Sequence, residues 1–474
     1  MANVMWLLNR LKAMSVPEIA WRVQQRVLQK QEQKIYGIKQ TPVTERVFCT
    51  KLGGLYLDAT KLKLNLDNCW FTQNDSIRLF GVFDYERYRK DWHAGFQTEN
   101  HWPLEFSYSL EYKQRDDIGD ARTNWELNRH FQFAILAKDY IATGDKKFLN
   151  EFTELFTDWN EKNPFLWGIS WTSVIEVAIR ASNWCYAYAF LAQAEDVPLQ
   201  LLEQLRIGII NMTDYIAKHH SRYSSANNHL IVEAYAIGQG GVLFGFKPWI
   251  DTSVSILTRE LLLQNYSDGV NKELSLHYQA FYMEAMGLMM RLMQKNGIDI
   301  PQSWPVMLQK MCKYVADCMG NHGEVIEFSD NDEGKILDLS GQETNYYRYV
   351  LGLLSCLLPQ SYANLSDSSI CENLCWLFTD AERETAQKKP LYKAEKSVCY
   401  REGGNSILRS KDGRVMIGID HGALGFGSIA AHGHADALSF QMYVDGEPIF
   451  IDPGTYIYHC DLKDRNAFRS LRSQ

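Results

Sequence analysis

Two histidines at i and i+2, His432 and His434, stand in the run His432-Gly433-His434-Ala435-Asp436-Ala437-Leu438-Ser439-Phe440. On an extended backbone alternate side chains share a face, so both imidazoles can project to one side. Asp436, and Asp452 in Ile451-Asp452-Pro453-Gly454, bring carboxylates nearby. Such a donor set suits two chemistries, a nitrogen–oxygen site for zinc or an acid/base pair that moves protons.

Two further clusters lie upstream. In Ser224-Ser225-Ala226-Asn227-Asn228-His229 the small polar residues sit where a helix can begin. That reads as ordinary capping. It reads equally as two amides and an imidazole at a helix N-terminus, beside free backbone donors, which suits a carboxylate. The segment 268–278 runs from Asp268-Gly269 through Glu273 to a His277-Tyr278 pair that opens a helix. Tyr278 there is either a core tyrosine with one polar tip or a proton donor in a cleft. Asn124, Trp125, Glu126, Asn128, Arg129 and His130 mark another helix start that lines a cleft or only caps.

Elements of two kinds must position these residues. Up to about residue 390, apolar residues recur at helical spacing. The pattern predicts helices over 125–143, 171–191, 198–218 and 278–294, with Gly144 and Gly297 as stop signals. Their spacing suits antiparallel helical hairpins, without a fixed-period repeat. After about residue 396 the pattern turns to strands. Hairpins are predicted at 406–409 with 415–419, and at 438–444 with 448–451 about Asp445-Gly446. The charged stretch 380–396 joins the two regimes. The expected organisation is thus a helical domain over 1–390 and a β domain over 396–474, the latter unfinished where the chain stops.

Composition excludes some partners. With 49 basic and 57 acidic residues the net charge is −8, which offers no footprint for nucleic acid and little for densely sulfated chains. The 13 tryptophans and 25 tyrosines fit either a bulky helical core or stacking platforms for sugars. The ten cysteines are scattered without CxxC spacing, and those in apolar helical contexts, such as Cys185 and Cys356, read as core thiols. No apolar run reaches the length of a membrane helix, and no signal peptide is visible at the N-terminus. The compartment and the oligomeric state stay open.

Taken in order, Asn228-His229, the Asp-Gly segment ending in Tyr278, HGHADALSF and VDGEPIFIDPGTY resemble the heparinase II/III and alginate lyase group of polysaccharide lyases. Supporting echoes are TNWELNRH, Glu176, Arg180 and Asn183 within 171–184, and Phe328-Ser329-Asp330-Asn331-Asp332. The resemblance runs from about residue 80 to the end. It implies an incomplete (α/α) toroid followed by an antiparallel β-sandwich, which agrees with the two regimes, and β-elimination at a 4-linked uronic acid. It implies that Asn228 and His229 neutralise the substrate carboxylate and that Tyr278 delivers a proton to the leaving O4 and can serve as base. By the same resemblance, His432 is base or completes the carboxylate clamp, while Asn227, Arg129, His277 and Glu273 line the substrate. His434 and Asp452 match two ligands of a structural zinc site. The family's third ligand, a histidine, lies beyond a stretch matched by Arg465-Asn466-Ala467-Phe468-Arg469, and this sequence ends before it. Asp436 is the better local substitute and His459 the poorer. No organic cofactor is implied.

Two other classes compete with a lyase on an acidic polysaccharide. A toroid glycosidase would need a carboxylate pair, for which Glu273 with Asp268 or Asp330 are the candidates. A non-catalytic glycan-binding or polysaccharide-assembly protein could keep the fold. Arg122, Arg129 and Arg180 fit either guidance of a polyanion or ion pairs on helix faces.

Overall fold

The computed structural model describes residues 14–37, 78–79, 83–340, 345–365, 372–425 and 432–470. Cys49, Cys69 and Cys371 fall outside them; the seven other cysteines are free thiols. The α-helices of six or more residues are α1 (Val16–Tyr36), α2 (Ala121–Asn128), α3 (Phe131–Thr143), α4 (Lys146–Lys162), α5 (Val174–Leu191), α6 (Leu199–His219) and α7 (Asn228–Leu243). They continue with α8 (Lys247–Leu263), α9 (Leu276–Lys295), α10 (Ser303–Asp317), α11 (Tyr346–Leu357), α12 (Glu372–Leu377), α13 (Asp380–Gln387) and α14 (Leu462–Phe468).

Successive odd helices α3, α5, α7, α9 and α11 pack side by side, while α4, α6, α8 and α10 lie against them from outside. The sequence of each layer explains this. In α7 every residue but His229 is buried, and in α9 everything from Leu276 to Met293 is. A helix that is apolar all round must be surrounded. By contrast, α4 buries one stripe, Phe148, Phe152, Phe156 and Trp159 among it, and leaves its other face polar. This is an incomplete (α/α) toroid. Trp92, Trp102, Trp159, Trp184, Trp304 and Trp376 are fully buried, so much of the aromatic content is core.

The helix predicted over 125–143 is two helices. His130 adopts φ 62°, which breaks the ladder between α2 and α3, and its Nδ1 accepts a hydrogen bond from Trp184 Nε1 at 2.8 Å. That buried contact outweighs the continuous helical pattern.

Beyond α13 a five-stranded antiparallel meander forms from β1 (Val398–Tyr400), β2 (Asn405–Arg409), β3 (Val415–Asp420), β4 (Phe440–Val444) and β5 (Glu447–Phe450). The sheet is tied to the toroid by Tyr400 Oη to Asp317 at 2.6 Å and Tyr314 Oη to Asn405 at 2.9 Å. The Asp445-Gly446 turn pairs Val444 with Glu447 and Tyr443 with Pro448, but a bulge then pairs Met442 with Phe450. A simple hairpin register therefore fails by one residue towards Asp452.

One buried acid in the toroid makes a testable demand. Glu233 of α7 accepts hydrogen bonds from Ser221 N at 2.5 Å and Ser221 Oγ at 3.0 Å, yet burial pushes its pKa up to about 8. An acid whose folded pKa lies above its unfolded value stabilises below the unfolded pKa, and that stability is lost as pH rises towards the folded one. Glu233→Gln is therefore expected to gain about 2–4 kcal/mol on the natural chain between pH 5 and pH 8, read by denaturant titration at both values. A pH-independent difference would contradict the buried, raised carboxyl.

Candidate functional site

The first turn of α7 is fixed by Asn227, whose side chain accepts from His229 N at 3.2 Å. The capping expectation and the cleft expectation thus meet in one place. Asn228 is buried and directed at Glu273: its backbone N and its Nδ2 donate to the two carboxylate oxygens at 2.9 and 2.7 Å. His229 is only partly buried, and its ring makes no hydrogen bond among the described residues. Burial lowers its pKa to about 4, so its imidazole is neutral at ordinary pH.

Helix α9 begins at Ser275, which caps Tyr278 N at 3.2 Å and donates through Oγ to the Asp330 carbonyl at 2.6 Å. That double contact sets the entry of α9 against the loop that follows α10. Tyr278 lies in the first turn, its ring centroid 4.1 Å from that of His432 and its hydroxyl 2.7 Å from the Tyr458 hydroxyl. Burial, with Asp332 and Asp330 nearby, raises the Tyr278 pKa well above the ordinary value. The resting phenol is protonated.

Asp330 is the hinge of the arrangement. Its Oδ2 meets His432 Nδ1 at 3.0 Å, and its Oδ1 meets His434 Nε2 at 2.9 Å and accepts from Thr455 Oγ1 at 2.9 Å. Burial would raise its pKa, but the two imidazoles hold it well below the usual carboxylate range. On its other side His432 Nε2 lies 3.3 Å from Glu273 Oε2. A ring between two carboxylates is best satisfied with a proton on each nitrogen. Burial works against that charge, but Asp330 and Glu273 outweigh it and raise the His432 pKa. His432 holds φ 62°, a left-handed conformation uncommon outside glycine.

The ligand atoms of His434, Asp436 and Asp452 lie within 4.8 Å of one another. His434 Nδ1 is 3.5 Å from Asp452 Oδ2, while its Nε2 is held by Asp330. A metal-binding imidazole is usually steadied by a carboxylate on its other nitrogen, and this one is. His459 stands elsewhere, its ring against Tyr112 and Trp125 at 5.5 and 5.3 Å.

Other expected contacts are turned inward. Arg129 is buried and paired with Glu176 at 2.6 and 3.0 Å and with Glu126 at 2.9 Å, so its guanidinium is spent within the protein. Arg122 likewise meets Asp332 at 3.0 Å and Glu126 at 2.9 Å. Arg180 is buried between Trp159 and Trp171, donating to the carbonyls of Asn128 and Ser170. His277 is buried with Nε2 3.5 Å from Asp332 Oδ1. Asp268 accepts from the backbone of Glu402 and Gly403, and Glu273 and Asp330 are both engaged with His432, so none of these three carboxylates is free to form a glycosidase pair.

Comparison with known proteins agrees with this fold. The family model for the heparinase II/III N-terminus matches residues 76–349, and that for the heparinase II/III-like C-terminal region matches 393–473. The chain belongs to the heparinase II/III family. A heparin-sulfate lyase of Bacteroides thetaiotaomicron is 22% identical over 425 residues, 85% of this chain and 58% of the relative. One from Pedobacter heparinus is 28% identical over 212 residues, 41% of this chain and 30% of the relative. The crystal structure of heparinase III superposes with a TM-score of 0.58 at 19% identity, covering 84% of this chain and 62% of that one. The chain thus spans 58% of the first relative, 30% of the second and 62% of the heparinase III structure, whose toroid-and-sheet fold it shares.

Within this heparinase II/III-family site, Tyr458 went unread in the sequence. It lies two residues past the end of the recognised VDGEPIFIDPGTY stretch. Strand alternation would give it the face of Tyr456, but Tyr456 has φ 63° and 66% of its surface exposed, stacked on Phe468. The loop is instead drawn to α2 by Asp120, whose Oδ2 accepts from Tyr458 N at 2.7 Å and His459 N at 3.2 Å. Asp120 also caps α2, a role its position before the helix could have suggested.

Proposed function

We propose that the chain is a polysaccharide lyase that cleaves a uronic-acid-containing polysaccharide by β-elimination. A base takes the C5 proton, the electron pair forms the C4=C5 bond, and the C4–O4 bond breaks as O4 receives a proton. The contact of Tyr278 with His432, beside Asn228 and His229, supports this reading most directly. Removing a proton next to a carboxylate needs that carboxylate neutralised, so that charge developing on it is stabilised. A doubly protonated His432 brings a positive charge suited to that clamp. Asn228 keeps one Nδ2 hydrogen beyond the one given to Glu273, and Glu273 serves to aim it.

Protonation states divide the remaining work. Tyr278, held as the neutral phenol, delivers a proton to O4, with Tyr458 orienting its hydroxyl. His229 is the neutral imidazole in the group, and an arriving substrate carboxylate strengthens it as the base for C5. Arg129 and His277 are buried among their own partners, and Asn227 caps α7, so their part is to position the site rather than to grip sugar. The substrate class follows from the same chemistry: an acidic polymer with 4-linked uronate. The names of the relatives make heparan-type chains the first to test.

The donors of His434, Asp436 and Asp452 fit zinc, which takes nitrogen and carboxylate oxygen. Bound there, zinc would pin the 432–436 loop to the segment after β5 and so hold His432 in place. Zinc is expected to raise the melting temperature by a few degrees, and Asp452→Ala to remove that increment. An equal increment in Asp452→Ala would exclude this site. The test of the function itself is ultraviolet absorbance of unsaturated uronate during incubation with heparan sulfate, hyaluronan and alginate. A rise with one polymer is the expected result. New reducing ends without that absorbance would mean hydrolysis.

A further inference from the structure

Apart from the Tyr278–His432 centre, a pocket of about 810 Å³ opens between the 220–226 loop and the exposed side of α8. It adjoins the start of α7. Gln264, in its wall, donates through Nε2 to the Asn227 carbonyl at 3.4 Å. The size falls in the range of sites for compact ligands.

Two arginines and two acids line it, but they do not all pair with one another. Asp251 is taken by Lys247 at 2.6 Å and Glu260 by Arg259 at 2.7 Å. Arg222 is left over. Its Nε donates to His220 Nε2 at 2.9 Å, and its terminal nitrogens make no hydrogen bond or ion pair among the described residues. His220 can accept because burial, with Arg222 and Arg259 beside it, lowers its pKa to about 4 and keeps it neutral. That bond aims the guanidinium fork. The adjoining Tyr223 is held at φ 56°, and 41% of its surface is exposed. Trp21 braces its ring at 5.8 Å. A strained, exposed aromatic beside an aimed cation is a costly arrangement for a bare surface. It suits a ligand with one flat apolar face and one anionic group.

We propose that this pocket is a second acidic-sugar subsite, in which Arg222 grips a carboxylate or sulfate and Tyr223 stacks on the ring that carries it. The subsite would take a residue of the polymer beyond the two that flank the bond being cut, and in that respect it rests on the lyase reading. Specificity for long chains over short ones would follow.

The test is calorimetric binding to the full chain carrying Tyr278→Phe, in which cleavage is expected to be slow against the measurement. The probes are octasaccharides of heparan sulfate and of hyaluronan, with the matching disaccharides. Arg222→Ala is expected to weaken octasaccharide binding about tenfold, Arg222→Lys to weaken it less, and neither to affect disaccharides. Loss with both polymers makes the gripped group a carboxylate, whereas loss with heparan sulfate alone makes it a sulfate. Octasaccharide affinity unchanged by Arg222→Ala, or no octasaccharide binding, overturns the subsite. Elimination by the natural chain is read separately. Arg222-dependent binding without elimination upholds the subsite and removes the lyase reading, and elimination without Arg222 dependence does the reverse.

Discussion

Tyr278→Phe is expected to eliminate about 10³-fold more slowly than the natural chain, with KM little changed and the melting temperature lowered by only a few degrees. The substitution removes one oxygen from a ring packed against His432 and leaves that packing in place. What is lost is the proton for O4, a group needed in the transition state and not for binding. The small stability cost comes from the Tyr458 hydroxyl, which loses its partner at 2.7 Å. Retention of more than about a tenth of the rate would take Tyr278 out of the chemistry, since general acid catalysis supplies roughly 10²–10⁴-fold.

The second large effect belongs to Asp330. Asp330→Ala removes the shared partner of His432, His434 and Thr455 at once. The His432 ring then keeps Glu273 alone and can rotate out of the clamp. The rate is expected to fall about 10–100-fold, as outer carboxylates of histidine sites generally cost when removed. Two buried imidazoles losing an anionic partner should also cost about 3 kcal/mol of stability. Asp330→Asn separates the two effects, because its amide oxygen still serves one histidine and its volume is unchanged. Stability near that of the natural chain with a rate near that of Asp330→Ala is the expected pattern. Full activity in Asp330→Asn would mean that His432 needs no anchor.

The helices that build this site were legible because their apolar residues repeat at helical spacing over many turns. The predicted 278–294 and 198–218 helices differ from α9 and α6 by at most two residues at either end. The break at His130 was hidden, since the pull of Trp184 on its ring is a long-range contact with no local signature. Asn228, His229, Tyr278 and His432 were singled out by motif order; in the fold Asn228 and His432 meet at Glu273, and Tyr278 packs on His432. Their working partners were harder to read. Glu273 and Arg129 were expected at the substrate, whereas burial pairs them with Asn228 and Glu176. A sequence shows that a charge is present, and only packing decides which neighbour consumes it. Asp330 appeared in the sequence merely as part of an echo, because a loop that bridges two histidines about a hundred residues away leaves no periodic trace. The convergence of His434, Asp436 and Asp452 depends on the loop folding back, since the bulge between β4 and β5 shifts the register one residue further from His434.

Mass spectrometry of the products made from a uronate polymer by the natural chain tests the central claim most directly. Elimination breaks a chain without consuming water, so the fragment masses must sum to that of the parent, and one fragment must carry the unsaturated uronate. Fragment masses that exceed the parent by one water for each cut would show hydrolysis, and would contradict the roles argued for Tyr278, His229 and His432.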